Sequence, residues 1–302
     1  MISLKGIFYR LSKYGLLNHM SDKLYLKIAF KLRTGKKLNL VQPQTFNEKL
    51  QWLKINDRKE IYTKMVDKFE VKEFIKEKIG PEYIIPTLGI YDKFDEIDFE
   101  TLPDKFVIKC THDSGGLVIC KDKSKLNKEE AKNKINKSLK TNYYYSNREW
   151  PYKNVKPRII VEKYMEDNKN EDMVDYKFYC FNGKPMYLYV SEGLSNHKTA
   201  KIDFLDMNYK RAEFGRSDYR HFDKLPQKPA NFELMKELAT KLSAGYAFIR
   251  VDFYEINNQI YFGELTFTPC SGYMPFKPEE YDKKLGDLID LSKVKNKWFY
   301  RY

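Results

Sequence analysis

The sequence predicts an α+β protein built mostly from antiparallel sheets. Two hairpins and a series of separate amphipathic helices carry that reading. In the first hairpin, Asp175-Tyr-Lys177-Phe-Tyr-Cys-Phe181 and Met186-Tyr-Leu-Tyr-Val190 flank Asn182-Gly183, a strong hairpin-turn signal. In the second, Phe248-Ile-Arg-Val-Asp252-Phe-Tyr and Tyr261-Phe-Gly-Glu264-Leu-Thr266-Phe-Thr-Pro269 flank Asn257-Asn258-Gln259. Both arms are rich in aromatic and β-branched residues.

Residues 1–35 place Leu4, Ile7, Phe8, Leu11, Tyr14 and then Leu24, Leu26, Ile28, Phe30 among Lys and Arg, the spacing of two short amphipathic helices. Such helices either pack on the body of the protein or lie on an anionic membrane surface, and packing is the commoner outcome. Thr45-Phe-Asn-Glu48 before Lys49-Leu-Gln-Trp52-Leu has the form of a capping box, with Thr45 as cap and Glu48 as its partner. Helix is expected over residues 60–79, ended by Gly80-Pro81. Ile84–Tyr91, Pro103–Cys110, Leu117–Cys120 and Ile159–Met165 read as strands, with His112-Asp-Ser-Gly-Gly-Leu117 as a turn. Residues 127–140 and 230–245 read as helices, and residues 142–157 as an aromatic, Pro-punctuated loop. There is no internal repeat and no low-complexity tract.

The 302 residues suffice for two domains or one large one. Net charge is +13, from 55 Lys+Arg against 42 Asp+Glu, which suits an anionic partner. A Lys-rich, AT-biased coding sequence explains much of the same excess, so charge alone decides little. Four scattered cysteines (Cys110, Cys120, Cys180, Cys270) without a C-x-x-C pair fit free thiols in a reducing cytosol. No signal peptide and no apolar window long enough to span a bilayer is visible, so a cytoplasmic protein is expected. The chain lacks G-x-x-x-x-G-K-[ST] and G-x-G-x-x-G, so Walker-type and Rossmann nucleotide sites are not supported. It has no D-x-D motif and no nucleic-acid-binding module. The four histidines are too far apart in sequence to suggest a zinc site or a Ser-His-Asp triad.

The second hairpin holds the most informative residues. If it centres on Asn258, Asp252 lies opposite Glu264 and Arg250 opposite Thr266, with all four on one face. Carboxylates placed directly opposite destabilise a strand pair. A hard cation between them reverses that sign, because Mg²⁺ takes oxygen ligands, typically one or two carboxylates plus substrate phosphates. The alternative is a solvated strand face, against which Arg250 and the oppositely directed Phe and Leu neighbours argue. Upstream, Ser114-Gly115-Gly116 is either a tight turn needing positive φ or a loop whose amides line an anion-binding concavity. Lys109, five residues earlier on a buried strand, favours the second reading, since a buried lysine needs negative charge beside it. Asp175 and Lys177 share one strand face, as a functional pair or as a surface salt bridge.

Taken in order, these pieces resemble the ATP-grasp superfamily over residues 64–270. Asp67-Lys68 with Gly80 and Pro86, Phe106-Val-Ile-Lys109 with Ser114-Gly-Gly, Val161-Glu162-Lys-Tyr-Met165, Asp175-Tyr-Lys177, and Arg250-Val-Asp252 with Glu264-Leu-Thr266 carry the resemblance. Arg148-Glu-Trp-Pro-Tyr152, Phe181-Asn-Gly-Lys-Pro185 and Met274-Pro-Phe-Lys-Pro-Glu-Glu-Tyr281 resemble one branch, the TupA-like ATP-grasp family. That family is named for teichuronopeptide biosynthesis and is often found with capsule and surface-polysaccharide genes. The resemblance implies an ATP-grasp fold, with two lobes clasping ATP and an N-terminal helical extension. The expected divisions are an extension at 1–45, an N-terminal lobe at 46–105, a central subdomain with phosphate loop and lid at 106–165, and a C-terminal lobe with the metal hairpin at 166–302.

The resemblance also implies roles. Asp252, Glu264 and Thr266 would hold Mg²⁺, with Mn²⁺ as an alternative. Lys68, Lys109, Ser114, Gly115, Gly116 and Lys177 would meet the phosphates. Glu162, Lys163 and Met165 would form the hinge that receives adenine, and Asp175 would reach the ribose or, with Lys177, the phosphates. Arg250, Lys177 and Lys109 would take the catalytic parts. The family usually reads E-x-N where this chain has Glu264-Leu-Thr266, so a hydroxyl replaces an amide there. The loop with Trp150 and Tyr152 is either a cover for a sugar acceptor or a packed lid. The implied function is an ATP-dependent carboxylate–amine ligase working through an acyl phosphate on a capsular or other cell-surface polysaccharide or its precursor. Its partners would be a small-molecule or glycan carboxylate and an amine, not nucleic acid, with peripheral contact to the membrane's inner face or to capsule-assembly proteins. A glycosyltransferase or phosphotransferase using the same nucleotide site, and a non-catalytic nucleotide sensor or scaffold, stand as alternatives.

Overall fold

Strand pairing organises residues 4–167, 174–193 and 198–294, which are those the computed structural model describes. The extreme ends of the expected 1–45 and 166–302 segments therefore lie outside the described residues. Helices α1 (Leu4–Lys13) and α2 (Asp22–Thr34) open the chain, followed by α3 (Phe46–Asn56), α4 (Ile61–Val66) and α5 (Glu70–Lys78). Strands β1 (Thr87–Tyr91), β2 (Phe106–Cys110) and β3 (Leu117–Cys120) come next, then α6 (Lys128–Leu139), α7 (Tyr144–Asn147) and β4 (Ile159–Lys163). The second half comprises β5 (Asp175–Phe181), β6 (Lys184–Glu192), β7 (Lys201–Leu205), β8 (Gly215–Arg216), α8 (Phe232–Ser243), β9 (Phe248–Ile256), β10 (Gln259–Thr266), β11 (Phe276–Lys277) and α9 (Tyr281–Asp287).

The strands form a four-stranded sheet in the order β1-β4-β2-β3, a five-stranded sheet in the order β10-β9-β5-β6-β7, and a β11-β8 ribbon. All these strand pairs are antiparallel, as the sequence predicts. Alternation splits the five-stranded sheet. On one face Tyr176, Phe178, Cys180, Ile249, Val251 and Phe253 pack with Phe232, Met235, Leu238, Ala239 and Leu242 of α8. On the other, Tyr179, Phe181, Phe204 and Phe248 close around Phe46 of α3. Each fully buried Phe contributes roughly 1.5–3 kcal/mol. A one-residue slip would turn the whole set outward, so these two cores fix the register that presents the polar end of the second face.

The helix expected over 60–79 is broken at Asp67. Its buried carboxylate accepts from the amides of Phe69 (2.8 Å) and Glu70 (3.0 Å), which starts α5 afresh, and from Arg158 Nη2 (3.1 Å). The Lys68 amide, freed from helical pairing, donates to the Thr111 carbonyl (3.1 Å). Elsewhere the expected elements appear. The Thr45–Glu48 capping box is formed, Asn182-Gly183 turns between β5 and β6 with positive φ at both residues, and the strand expected from Ile84 starts at Thr87, after Pro86.

The N-terminal helices pack rather than stand apart. Phe8, Tyr25, Leu26, Ala29, Phe30 and Leu38 form a core of their own, against which Ile55 and Tyr273 also lie. Arg148 pins it. This side chain is 1% exposed, takes the left-handed backbone conformation at φ 56°, donates to the carbonyls of Leu17 (2.6 Å) and Met20 (3.3 Å), and stacks on Tyr25 at 4.6 Å. The neighbouring Glu149 is buried and accepts from the hydroxyls of Thr268 and Ser271. The first half of the Arg148–Tyr152 motif is thus a clasp joining the N-terminal helices to the segment after β10. No helix among the described residues is long and apolar enough to cross a membrane.

Candidate active site

The cleft is built between the two large sheets. Two adjoining cavities, about 170 and 330 Å³, share Lys68, Val71, Lys109, Gly263 and Glu264. The smaller also reaches Ser114, Gly116 and Tyr152, and the larger reaches Glu162, Asp175, Lys177 and Asp252 beside Ile84, Ile85 and Phe262.

On the four-stranded wall, β2 carries Lys109 next to Glu162 of β4. The Glu162 carboxylate is 5% exposed and binds Lys109 Nζ at 2.7 Å and Lys72 Nζ at 2.5 Å. Burial raises the Glu162 carboxyl, but Lys109 and Lys72 outweigh it and hold the group below its ordinary value. Lys72 also donates to the Ile85 carbonyl (2.8 Å) and the Thr87 hydroxyl (2.7 Å). Lys68 Nζ donates to the carbonyls of Cys110 and Asp113. Burial lowers both Lys68 and Lys72, only partly opposed by Glu264 and Asp113 at the first and by Glu162 at the second. Lys72 was not foreseen. It lies one helical turn beyond Lys68, and an i, i+4 lysine pair at a helix start was the available signal.

The Ser114-Gly115-Gly116 turn does not need the positive φ of a tight turn, and one of its amides is not free for an anion. Neither glycine is among those with positive φ. Gly116 is required by close approach, since a Cβ there would collide with the Cys110 and Ser138 side chains. Its amide is already taken by the Asp113 carboxylate at 3.1 and 3.2 Å. Ser114 donates from Oγ to the Tyr143 hydroxyl (3.2 Å), and Tyr143 packs edge-on against Tyr152. Burial pushes the Tyr143 phenol up to about 12.

On the five-stranded wall, β5 and β9 pair Lys177 with Asp252 and Tyr179 with Arg250. Lys177 Nζ lies 2.9 Å from Asp175 and 3.2 Å from Asp252. Arg250 makes a two-pronged contact with Asp252, each prong 2.7 Å, and reaches Glu264 Oε1 at 2.5 Å. Burial raises Asp252 against the pull of Arg250 and Lys177. For Glu264, whose side chain is half open to solvent, the three cations Arg250, Lys177 and Lys68 outweigh its partial desolvation and hold the carboxyl low. Thr266 Oγ1 donates to Glu264 at 3.1 Å.

The hairpin register needs one correction. Gln259 pairs with Ile256, so the turn is the two residues Asn257-Asn258 rather than centred on Asn258. A bulge at Gly263–Glu264 then restores Thr266 opposite Arg250. Asp252 therefore faces two residues instead of Glu264 alone. The extra residue bends the strand and re-aims the Glu264 side chain, a usual effect of a bulge beside a functional site.

The cavities gather most of the sequence-predicted residues, but not all of them. Lys163 is exposed, and its amide donates to the Pro86 carbonyl (3.0 Å) within the sheet margin. Met165 lies half-buried in the loop after β4, outside both cavities. Among the described residues no group of three or more His, Cys, Asp or Glu could hold a metal. Asp252, Glu264 and the Thr266 hydroxyl supply only hard oxygen donors, which fits a Mg²⁺ that completes its shell with phosphate oxygens and water.

The TupA-like ATPgrasp family model matches residues 48–290. Similar solved structures include the biotin carboxylase domain of Hydrogenobacter thermophilus 2-oxoglutarate carboxylase, with 17% identity over 67% of this chain and 40% of that one and a TM-score of 0.40. D-alanine–D-alanine ligase from Helicobacter pylori gives 18% identity over 81% of this chain and 68% of that one, TM-score 0.43. The Bacillus anthracis D-alanine–D-alanine ligase gives 13% over 96% and 92%, TM-score 0.42. The present chain spans less than half the length of the carboxylase chain it matches. No curated protein matches.

Proposed function

From a chain that belongs to the TupA-like ATP-grasp family, we propose an ATP-dependent ligase that joins a carboxylate to an amine. The observation that carries this reading is the opposed charge of the two cleft walls, lysine-rich on one side and carboxylate-rich on the other. A nucleotide triphosphate with a divalent cation has the matching polarity.

Lys68, Lys72 and Lys109 bind the phosphate chain, and the Ser114 and Gly115 amides cover it. Ile84, Ile85 and Phe262 line the apolar end for the base, with the Glu162–Met165 segment as its hinge and Asp175 at the ribose. Asp252 and Glu264, with the Thr266 hydroxyl, would hold Mg²⁺ (or Mn²⁺), which neutralises phosphate charge when bound. Phosphoryl transfer depends chiefly on positioning and charge stabilisation. The substrate carboxylate oxygen attacks the γ-phosphorus, the bond to the β-bridging oxygen breaks, and ADP leaves. The amine then attacks the acyl carbon, phosphate departs, and the amine proton passes to solvent. Arg250 stabilises the negative charge at the acyl phosphate and at the tetrahedral stage after it. Lys177, held by Asp175 and Asp252, keeps that face in register.

The wider setting belongs to the same proposal. The acid or the amine is carried by a capsular or other cell-surface polysaccharide or its precursor, and the enzyme works at the cytoplasmic side of the membrane. The family's association with capsule genes supports that setting, and the segment boundaries at 45, 105 and 165 accompany it. The test is an ADP-release screen over uronic-acid glycans and amino acids with Mg²⁺, read together with mass spectrometry of the products. ADP with an amide supports ligation. UDP release from a sugar nucleotide, or nucleotide binding without turnover across the panel, overturns it.

A further inference from the structure

A third cavity, about 500 Å³, lies outside the nucleotide cleft, between the N-terminal helices and the segment after β10. Lys5, Tyr9 and Arg33 line it from α1 and α2, and Arg216, Asp218, Cys270, Tyr273 and Pro275 from the opposite side, so that three cations face one carboxylate. Its charge balance is unusual. Arg216 is neutralised by Asp218 in a two-pronged contact of 2.9 and 2.7 Å. Arg33 has only neutral partners, the Tyr9 hydroxyl and Asn147 Oδ1 at 2.9 Å, and no carboxylate within ion-pairing reach among the described residues. Its guanidinium is stacked between two rings, 4.3 Å from the Tyr273 centroid and 4.8 Å from that of Tyr9. Lys5 adds a second cation at the rim. The Tyr273 hydroxyl has no hydrogen-bond partner among the described residues.

A half-buried guanidinium held rigid by two aromatic faces, with no counter-charge, is arranged for an anionic group; the flanking rings suit the apolar face of a sugar. The cavity is also connected to the chemistry. Arg216 Nη1 lies 3.3 Å from the Tyr189 hydroxyl, Tyr189 stacks on Tyr179, and Tyr179 is the cross-strand partner of Arg250. Two stacked rings, Tyr189 and Tyr179, therefore link Arg216 at this cavity to Arg250, the residue placed at the reacting carbonyl. Two of its cations come from residues before 48, where the family match begins.

We propose that the cavity of Lys5, Tyr9, Arg33 and Tyr273 binds an anionic saccharide, with the acidic group on Arg33 and Lys5 and the ring against the tyrosines. The assignment rests on the ligase reading for its purpose, since the saccharide would be one of the two substrates, but its binding can be measured alone. Calorimetric titration with a glucuronate disaccharide, glucose 6-phosphate and maltose, each with and without MgATP, provides the test. Binding of the glucuronate sugar or the sugar phosphate, absence of maltose binding, and a roughly tenfold or greater loss in Arg33→Gln with unchanged MgATP affinity are expected. A preference between the two anionic sugars tells a carboxylate from a phosphate ligand. Thermal melting checks that Arg33→Gln folds; should it not, Lys5→Glu on the exposed face of α1 replaces it, with a smaller loss of anionic-sugar affinity expected. Equal binding of maltose and the anionic sugars, no binding of either, or undiminished affinity in the variants overturns the proposal. Intact MgATP binding with no saccharide binding removes this inference alone, whereas saccharide binding without MgATP binding removes the ligase reading and leaves this site standing.

Discussion

The two walls of the cleft use the same kinds of group to opposite net effect. The four-stranded wall brings Lys68, Lys72 and Lys109 together with Glu162 and Asp113, an excess of cations. The five-stranded wall brings Asp175, Asp252 and Glu264 together with Lys177 and Arg250, an excess of carboxylates. Their support also differs. Lys68 leans on two backbone carbonyls, whereas Lys72 and Lys109 share the buried Glu162 carboxylate, so Lys68 has the more easily replaced partners. The acidic wall is a closed ion-pair chain in which Arg250 already bridges Asp252 and Glu264. The first wall is prepared for an anion. Under the proposed reading, a cation at Asp252 and Glu264 would displace Arg250 from these carboxylates and leave its guanidinium to meet the reacting phosphate.

The largest effect is expected at Asp252. It is 2% exposed and the shared partner of two buried cations, so Asp252→Asn removes ADP release and also costs about 3–5 kcal/mol of stability, because it leaves Arg250 and Lys177 under-compensated. Thermal melting beside an ADP assay checks both. Lys109→Met breaks the other wall. Glu162 keeps Lys72, so folding should be little affected while ADP release falls on the order of 10²–10³-fold, as for loss of one preorganised donor. Glu264→Gln, at a side chain half open to solvent, should lower turnover by a similar order with a melting temperature close to that of the unaltered protein. If Lys109→Met and Glu264→Gln respond identically to Mg²⁺ concentration, the division of labour between the walls fails.

A smaller effect tests the scaffold behind the walls. Lys54 is buried and donates to the carbonyls of Asn147 (2.9 Å) and Ser271 (2.7 Å). Burial pushes its ammonium down to about 7 from an ordinary 10.5. Between those values the unfolded chain holds a proton that the folded one lacks, so this group makes stability rise with pH across that window. Below pH 7 the burial penalty is present in full. Melting temperatures from pH 7 to 10 should climb less steeply in Lys54→Met. An unchanged slope would place the pH dependence elsewhere.

The parts of the site legible in the sequence were those written in local period. Alternation put Asp175 beside Lys177 and Arg250 beside Asp252, and the Thr45–Glu48 box announced α3. What the sequence hid depends on partners distant along the chain. The bulge at Gly263 is invisible until Asp252 and Tyr254 crowd its α-carbon. Gly116 reads as a phosphate-loop glycine because nothing local shows the collision a Cβ there would have with Cys110 on β2 and with Ser138, near the far end of α6. Arg148 and Glu149 fall in the segment that reads as an aromatic loop, yet they tie the N-terminal helices to the segment after β10. The break at Asp67 was missed because a carboxylate in mid-helix gives no sign of whether it will cap a new one.

The central claim is that the carboxylate-rich wall holds the cation and the lysine-rich wall the phosphates. Titrating ATP into the unaltered protein and into Glu264→Gln, each with and without Mg²⁺, tests it most directly. The account predicts that Mg²⁺ tightens ATP binding in the unaltered protein and that this gain disappears in Glu264→Gln, while metal-free ATP binds both alike. An equal gain from Mg²⁺ in both proteins would contradict it.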